Sequence, residues 1–452
     1  MMKKTILIAI LSCACIMSMY AGKKPNLTFD ANDGVKRTLV MPNGQTVEYT
    51  AYERLYFVGN VEDSTCQYMN VYVPKGATQK TPIILRTYAR EDKPVEPTLP
   101  TGLDATGRAL QEGYVVAVPG ARFASPNTQL LDLKAAVRYL RLFDKKMPGA
   151  AERIIADGTG VGGALCCLLG STGNHPDYRQ QLEEMGAADK RDDVFACISY
   201  SPFIDRGHAD MAYEWLFNCT NNLTRPLTEE ETIRSSKLAT QYADYLNDLG
   251  LKDPADNSPL TANSFRSYLK RQLIKAAQRA KDAGAEIPDS IGFTFSKAAD
   301  ILLPTHSSPT TNDDRLRATA DFLYAQQKPK PRITGEYLVN LDLETYLNYL
   351  ATTQPIKKPA ELSDGSHGDG SAIPFSSKNG SQNRPQTTAP HWYIRHGALD
   401  TETSFAATTV FAVRLQNLGK EVNFLLAWNR PYSGDYALDE LFDWIEGLVH
   451  SS

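Results

Sequence analysis

Short apolar stretches recur along the chain and predict the strands of a sheet. Residues 38–50 alternate apolar and polar positions around a turn at 42–44, which is typical of a hairpin with one buried face. Residues 113–119 are apolar almost without interruption, which is typical of a strand buried on both faces. Further predicted strands cover residues 56–58, 69–74, 81–85, 154–156, 194–199, 391–396 and 422–428.

Helical spacing of apolar positions appears between these strands. Residues 130–143 place Leu133, Val137 and Leu140 on one face of a predicted helix. Residues 404–418 and 438–448 predict two more helices near the end of the chain. Strands that alternate with helices in this way indicate an α/β fold with a mostly parallel sheet.

The pattern becomes helical between residues 206 and 388. Thr228 and Glu231 form a capping box before a helix that extends to about residue 247. Residues 265–283, 313–326 and 343–349 predict further helices, whereas 363–390 is rich in Ser, Gly, Asn, Asp and Pro and predicts a loop. We therefore predict a core of residues 22–205 and 389–452, interrupted by a helical lid insertion at 206–388.

Composition narrows the class of protein and its location. The chain has 452 residues, 42% of them hydrophobic, and a net charge of −4, which gives no electrostatic footprint for nucleic acid. Two lysines followed by the apolar residues 5–19 predict a signal peptide over 1–21, so the protein is expected in the periplasm or secreted. A lipid anchor at Cys13 is not favoured, and no later stretch is apolar enough to cross a membrane.

The cysteines and histidines predict no metal or cofactor. Five of the seven cysteines lie after the predicted signal peptide, so at least one thiol is expected to be free. The sequence leaves open whether Cys66 or Cys219 forms a disulfide, and zinc-type spacing is absent. His367 has acidic neighbours, but a Gly/Ser-rich segment of this kind is more typical of solvated coil.

The stretch 154–170 carries the main functional signal. An apolar strand, a glycine turn at 158–163 and a helix from about Ala164 match the nucleophile elbow of an α/β-hydrolase, whose pattern is G-x-S-x-G. The serine position of that pattern holds Gly160 here, and glycine has no nucleophile. Neither Thr159 nor Ser171 is placed to replace it, since the first is expected to pack or cap and the second lies a helix length away.

The same glycines permit a second interpretation. Gly158, Gly160 and Gly163 match the dinucleotide-binding fingerprint G-x-G-x-x-G. That fingerprint requires a second strand about 20 residues later, ending in an acid that holds the ribose. Glu183 and Glu184 stand at that distance, but residues 176–186 are polar and predict a helix or a loop. Nucleotide binding is therefore the less favoured interpretation.

Six motifs lie at residues 133–140, 158–165, 173–178, 209–215, 350–355 and 434–442. Together they resemble the motifs of bacterial tannases, and the resemblance extends from about residue 38 to the C-terminus. It implies an α/β-hydrolase with a helical lid that hydrolyses esters of gallic acid or related phenolic acids through a Ser–Asp–His triad.

Transferred residue by residue, the triad of this family is mostly missing. The nucleophile position is Gly160, the acid position is kept as Asp400, and the base position holds Tyr432. Tyrosine titrates near pH 10, so it cannot replace imidazole as a base at neutral pH. The resemblance also implies that Glu402 accepts a hydrogen bond from a galloyl hydroxyl, and that the backbone N–H of Val161 forms half of the oxyanion hole.

The second half of the oxyanion hole is in question because two glycines of the family are replaced here. The family has a glycine pair after the strand at 81–85, where an approximate alignment places Arg90 and Glu91. For Asp400, a strand-end acid without any partner is an alternative to a functional role.

Three functions remain open on the sequence. The favoured one is an exported tannase-like protein that has lost its serine-esterase chemistry and binds a phenolic ligand, a sugar ester or a partner protein. The alternatives are an active hydrolase with a non-standard mechanism and a nucleotide-binding module. The sequence does not indicate an oligomeric state.

Overall fold

The structure, a computed structural model, describes residues 27–297, 337–357, 359 and 387–451, except positions 91, 124, 222, 224 and 225. The predicted signal peptide, the predicted helix at 313–326, His367 and most of the predicted loop at 363–390 lie outside the described residues. The chain divides into two compact units. The first comprises residues 1–198, 381–390 and 435–452, and the second comprises residues 199–380 and 391–434.

The strands are, in chain order, β1 (Val35–Val40), β2 (Thr46–Tyr56), β3 (Tyr68–Pro74), β4 (Pro82–Thr87), β5 (Val115–Pro119), β6 (Ala150–Thr159), β7 (Ala196–Tyr200), β8 (Leu251–Lys252), β9 (Pro259–Leu260), β10 (Phe293–Lys297), β11 (Tyr337–Leu341), β12 (His391–Gly397) and β13 (Glu421–Ala427).

The α-helices are, in chain order, α1 (Ala105–Gln111), α2 (Pro126–Leu142), α3 (Val161–Ser171), α4 (Arg179–Glu184), α5 (Arg206–Phe217), α6 (Glu229–Asp248), α7 (Ala262–Asp282), α8 (Leu343–Thr353), α9 (Phe405–Asn417) and α10 (Leu438–Ser451). The predicted capping box of Thr228 and Glu231 is present at the start of α6.

The sheet of the first unit has the strand order β1-β2-β3-β5-β4-β6-β7, and β7 contains the boundary between the units. Its early strands pair antiparallel as far as β3 with β5, whereas β4 is parallel to both β5 and β6. Every residue of β3, β4 and β5 is buried, as expected for strands covered on both faces. The predicted inward positions of α2, Leu133, Val137 and Leu140, are all buried.

The predicted strand at 56–58 is wrong. Tyr56 is the last residue of β2, which continues through an irregularity between Tyr52 and Leu55. Val58 forms only an isolated bridge to Ala187. Phe57 and Val58 are buried although neither belongs to a strand, so their hydrophobicity does not indicate a separate strand.

The sheet of the second unit has β12 parallel to β13, with the end of β7 beside β12 through a hydrogen bond from Ser201 N–H to the Arg395 carbonyl at 2.7 Å. The predicted insertion is not helical throughout, because β10 pairs antiparallel with β11 and β8 with β9. The register places Phe293 opposite Leu341. Both side chains are buried, although the two residues are more than 40 positions apart in the chain. Local periodicity cannot reveal a pairing of that sequence separation.

Among the described helices, none combines the length and apolar character needed to span a bilayer.

Candidate functional site

The elbow lies in the first unit and is tighter than the sequence predicted. Strand β6 ends at Thr159, Gly160 alone forms the turn, and α3 begins at Val161 instead of Ala164. Gly160 has φ 58° and ψ −117°, a backbone conformation that costs a residue with a side chain roughly 1–3 kcal/mol. The apex of the turn therefore keeps the strained geometry of a nucleophile elbow although it carries no nucleophile.

The glycines on either side of the apex are required by close packing. A Cβ atom at Gly158 would lie 2.6 Å from the carbonyl carbon and oxygen of Gly162. A Cβ atom at Gly162 would lie 2.3 Å from the carbonyl oxygen of Thr87, at the end of β4. Both distances are shorter than a real carbon contact, so the turn closes only with glycine at these two positions.

The backbone that packs on the elbow comes from the end of β4. Besides Thr87, the amide nitrogen of Ala89 lies 3.7 Å from the Cβ position of Gly162. Arg90 is exposed and its guanidinium bonds to Asp92, so its side chain turns toward its own loop. Glu91 lies outside the described residues, and the oxyanion role predicted for the N–H of Val161 stays a prediction.

A buried arginine bridges two carboxylates beside the elbow. Arg86 on β4 and Asp157 on β6 are register partners, and Arg86 Nη1 donates to Asp157 Oδ2 at 2.6 Å. The other arm of the guanidinium, Nη2, donates to Asp435 Oδ2 at 2.6 Å. Burial raises the pKa of Asp157 to about 6, although Arg86 acts in the opposite direction.

The retained acid, Asp400, lies in the second unit and is completely engaged. His396 Nε2 approaches Asp400 Oδ2 at 3.3 Å, and neither side chain has an exposed surface. Asp400 Oδ1 also accepts from the backbone N–H groups of Glu402 at 3.0 Å and Thr403 at 3.2 Å. The alternative that Asp400 is an acid without a partner is therefore wrong.

The partner of Asp400 is a neutral imidazole. Burial lowers the pKa of His396 below its ordinary value. Its other ring nitrogen, Nδ1, lies 2.9 Å from the hydroxyl of Thr408. Nε2 faces the carboxylate of Asp400 and the hydroxyl of Thr403, and Nδ1 is paired with the hydroxyl of Thr408. Both ring nitrogens therefore have partners within the protein, and neither is available to bind a ligand.

The loops after β12 and β13 are packed against each other in the second unit. Leu399 N–H donates to the Arg430 carbonyl at 2.9 Å, and a Cβ atom at Gly397 would lie 2.3 Å from the same oxygen. Tyr432 follows on the second of these loops with 39% of its surface exposed. Glu402, on the first loop, is also exposed. The predicted acid and base positions therefore lie on two contacting loops.

The remaining sequence candidates are structural. Glu183 and Glu184 lie at the end of helix α4 and not at the end of a strand, so the dinucleotide fingerprint lacks its second half. The Ser171 hydroxyl donates to the Cys167 carbonyl at 2.6 Å inside α3.

Within the described ranges no cluster of three or more His, Cys, Asp or Glu side chains is arranged to hold a metal. All five cysteines after residue 27 are free thiols, among them Cys66 and Cys219.

Sequence reasoning missed two interactions, and one of them left a signal. Arg86 and Asp157 each directly follow an apolar run, residues 83–85 and 154–156, a pattern that indicates a buried ion pair. Their third member, Asp435, could not be found in this way because it lies 349 residues from Arg86 in the chain. The pairing of His396 with Asp400 is at i and i+4, but across a strand end such spacing predicts no contact.

Solved structures with the same architecture identify the family. A tannin acyl hydrolase in complex with 3,4-dihydroxybenzoate is 30% identical, with a TM-score of 0.75 over 94% of this chain and 99% of that one. This chain belongs to the tannase family. Fusobacterium nucleatum tannase is 28% identical with a TM-score of 0.75, over 94% of this chain and 100% of that one.

A third solved structure, of the tannin acyl hydrolase from Lactobacillus plantarum, is 29% identical with a TM-score of 0.73, over 94% of this chain and 99% of that one. Neither a family model nor a curated protein matches this chain significantly. The structural relatives confirm the predicted α/β-hydrolase fold with its mostly parallel sheet.

Proposed function

We propose that this chain is an exported tannase-like protein that has lost serine-esterase chemistry and binds a phenolic or sugar-ester ligand. The observation that carries the proposal is the elbow itself, which keeps its strained backbone at Gly160 without a side chain. The division into a hydrolase core at 22–205 and 389–452, with an insertion at 206–388, is part of the same proposal.

Ester hydrolysis through an acyl-enzyme needs an attacking oxygen, a base for its proton and donors for the oxyanion. Gly160 removes the attacking oxygen, and Tyr432 replaces the imidazole with a phenol that keeps its proton at neutral pH. Asp400 is paired with His396 and accepts from two backbone N–H groups. The acid therefore already has partners within its own loop.

The ligand class follows from the solved relatives and from one exposed acid. Two solved structures show a tannin acyl hydrolase in complex with 3,4-dihydroxybenzoate and with ethyl gallate, both of them phenolic. Glu402 is exposed next to Asp400 and can accept hydrogen bonds from phenolic hydroxyls. We therefore assign Glu402 a ligand-binding role in this proposal.

Hydrolysis of methyl gallate and short nitrophenyl esters tests the loss of chemistry. We expect no burst and no turnover from the wild-type protein. Gly160→Ser alone and Tyr432→His alone should recover little, because triad members act as a unit. The double variant should recover measurable hydrolysis, at a cost of roughly 1–3 kcal/mol for a serine at the strained apex.

Wild-type turnover that persists after Tyr432→Phe with Asp400→Ala would contradict the proposal. That result would favour the alternative, an active carboxylic-ester hydrolase with a non-standard mechanism at a different set of residues. Binding of methyl gallate by calorimetry, with Glu402→Gln as the variant, separates ligand binding from catalysis in the same protein.

Export is tested on the protein from its natural host. The two lysines and the apolar residues 5–19 should be removed, leaving a mature N-terminus between residues 13 and 23. Intact-mass measurement of the native protein checks this, and retention of Met1 would show that the chain is not processed.

A further inference from the structure

The bridge formed by Arg86, Asp157 and Asp435 lies wholly in the first unit, next to the elbow. Asp157 is three residues before Gly160, and Asp435 is three residues after Tyr432. Only 4% of the Arg86 side chain and 1% of the Asp157 side chain are exposed, against 21% for Asp435. One guanidinium thus holds two carboxylates from segments that are far apart in the chain.

The bridge is not an efficient source of folding stability. Two acids and one arginine leave a net charge of −1, and the free energy of desolvating buried charges can exceed the gain from their attraction. Among the described residues, Arg86 Nε, Asp157 Oδ1 and Asp435 Oδ1 are buried atoms without a hydrogen-bond partner. A well-packed apolar trio would give more stability, so the geometry that the bridge imposes is its main effect.

The geometry depends on the planar fork of arginine. Its two terminal nitrogens point at separate acceptors, and each makes a contact of 2.6 Å. The Arg86 guanidinium also lies over the ring of Tyr88, with its carbon 5.0 Å from the ring centre. A lysine would offer a single charged centre and could not hold both carboxylates in the same way.

We propose that Arg86 is a positioning residue that anchors Asp435, the first-unit end of the loop 431–436, to strands β4 and β6. The inference rests on the proposed function in one respect, since position 432 on this loop is the predicted base position.

The first experiment uses the wild-type protein and needs no activity. Cleavage by chymotrypsin after Tyr432 and hydrogen exchange of the amides at 432–436 report opening of the loop. Asp435→Asn should increase both rates about tenfold, because a charge-assisted hydrogen bond is lost. Asn tolerates the φ of 55° at this position, so the change reports the lost charge and not a lost backbone conformation.

Two control variants distinguish anchoring from a general structural effect. Asp157→Asn removes the other carboxylate from the same guanidinium and should leave the loop protected. Asp439→Asn removes a nearby acid that is 85% exposed and pairs with Arg108 at 2.8 Å, and it should change neither rate. Equal opening in Asp157→Asn and Asp435→Asn, or no opening in Asp435→Asn, would overturn the proposal.

The second experiment measures kcat and KM for methyl gallate in the Gly160→Ser, Tyr432→His background. Asp435→Asn should lower kcat about tenfold or more with little change in KM, because a misplaced base slows chemistry and not binding. A change in KM alone would contradict a positioning role. If the background variant has no activity, the restoration expected under the proposed function has failed, while the proteolysis and exchange rates still decide the role of Arg86.

Discussion

The elbow after β6 and the acid loop after β12 differ in what they present. At the elbow the backbone is strained and carries no side chain, since Gly160 has φ 58° at its apex. On the acid loop an acidic side chain is present, and Asp400 is paired with His396 and with backbone N–H groups. In both regions the conformation is held by contacts with neighbouring groups.

The neighbours differ in kind. The elbow is held by close packing of backbone on backbone, in which Gly162 touches the Thr87 carbonyl. The acid loop is held by a buried hydrogen-bond network in which the backbone N–H groups of Glu402 and Thr403 donate to Asp400, with His396 packed against its other oxygen. Packing of this type tolerates no added atom, whereas a hydrogen-bond network tolerates replacement at the cost of unpaired polar groups. Substitutions in the two regions should therefore have effects of different size and different pH dependence.

The largest effect is expected for Gly162→Ala. The added methyl group would lie 2.3 Å from the Thr87 oxygen, so β4 or α3 must shift, at a cost of about 3 kcal/mol. Gly207→Ala is the matched control, because nothing lies within 4 Å of that Cβ and alanine favours the helix α5. Urea unfolding of both variants measures the difference, and equal stabilities would show that the elbow is not tightly packed.

Asp157 should make stability decrease as the pH rises. Its pKa is about 6 in the folded protein and 3.8 as an ordinary value, so between these values the folded state holds a proton that the unfolded state has released. The stability contribution is complete below pH 3.8 and is lost as the pH rises through 6, for a total of about 3 kcal/mol. Asp157→Asn should remove this dependence.

Urea unfolding of the wild type and of Asp157→Asn between pH 4 and 7 checks the sign. The difference in unfolding free energy between the two proteins should shift in favour of the variant as the pH rises. Parallel curves over this range would mean that Asp157 has an ordinary pKa and that its pairing with Arg86 outweighs its burial.

A smaller effect is expected on the acid loop. His396→Leu removes the buried imidazole that pairs with the carboxylate of Asp400 and should destabilise the protein by about 2 kcal/mol. His391→Gln, on the same strand, removes a contact with Glu421, whose side chain is 75% exposed, and it should cost less than about 0.5 kcal/mol. Equal losses in the two variants would show that Asp400 does not depend on His396.

Much of the fold could be predicted because the signals were local. The hairpin of β1 and β2, the buried strands β3 to β5 and the capping box of α6 all depend on residues close together in the chain. The strands β10 and β11 were missed because each is five residues long and its partner lies beyond a long connection. The start of α3 was placed three residues late, since consecutive glycines give no helical pattern.

The sequence by itself determined that Gly160 stands at the apex of the elbow motif and Tyr432 at the predicted base position, because the identity of a residue in a local motif needs no coordinates. It also determined where the elbow lies, since a strand, glycines and a helix follow one another directly. Only the tertiary structure decided what holds the retained residues. Asp400 acquires His396 across the end of a strand, and Arg86 acquires Asp435 from 349 residues away. Such contacts depend on burial and on chain reversal, which no local pattern encodes.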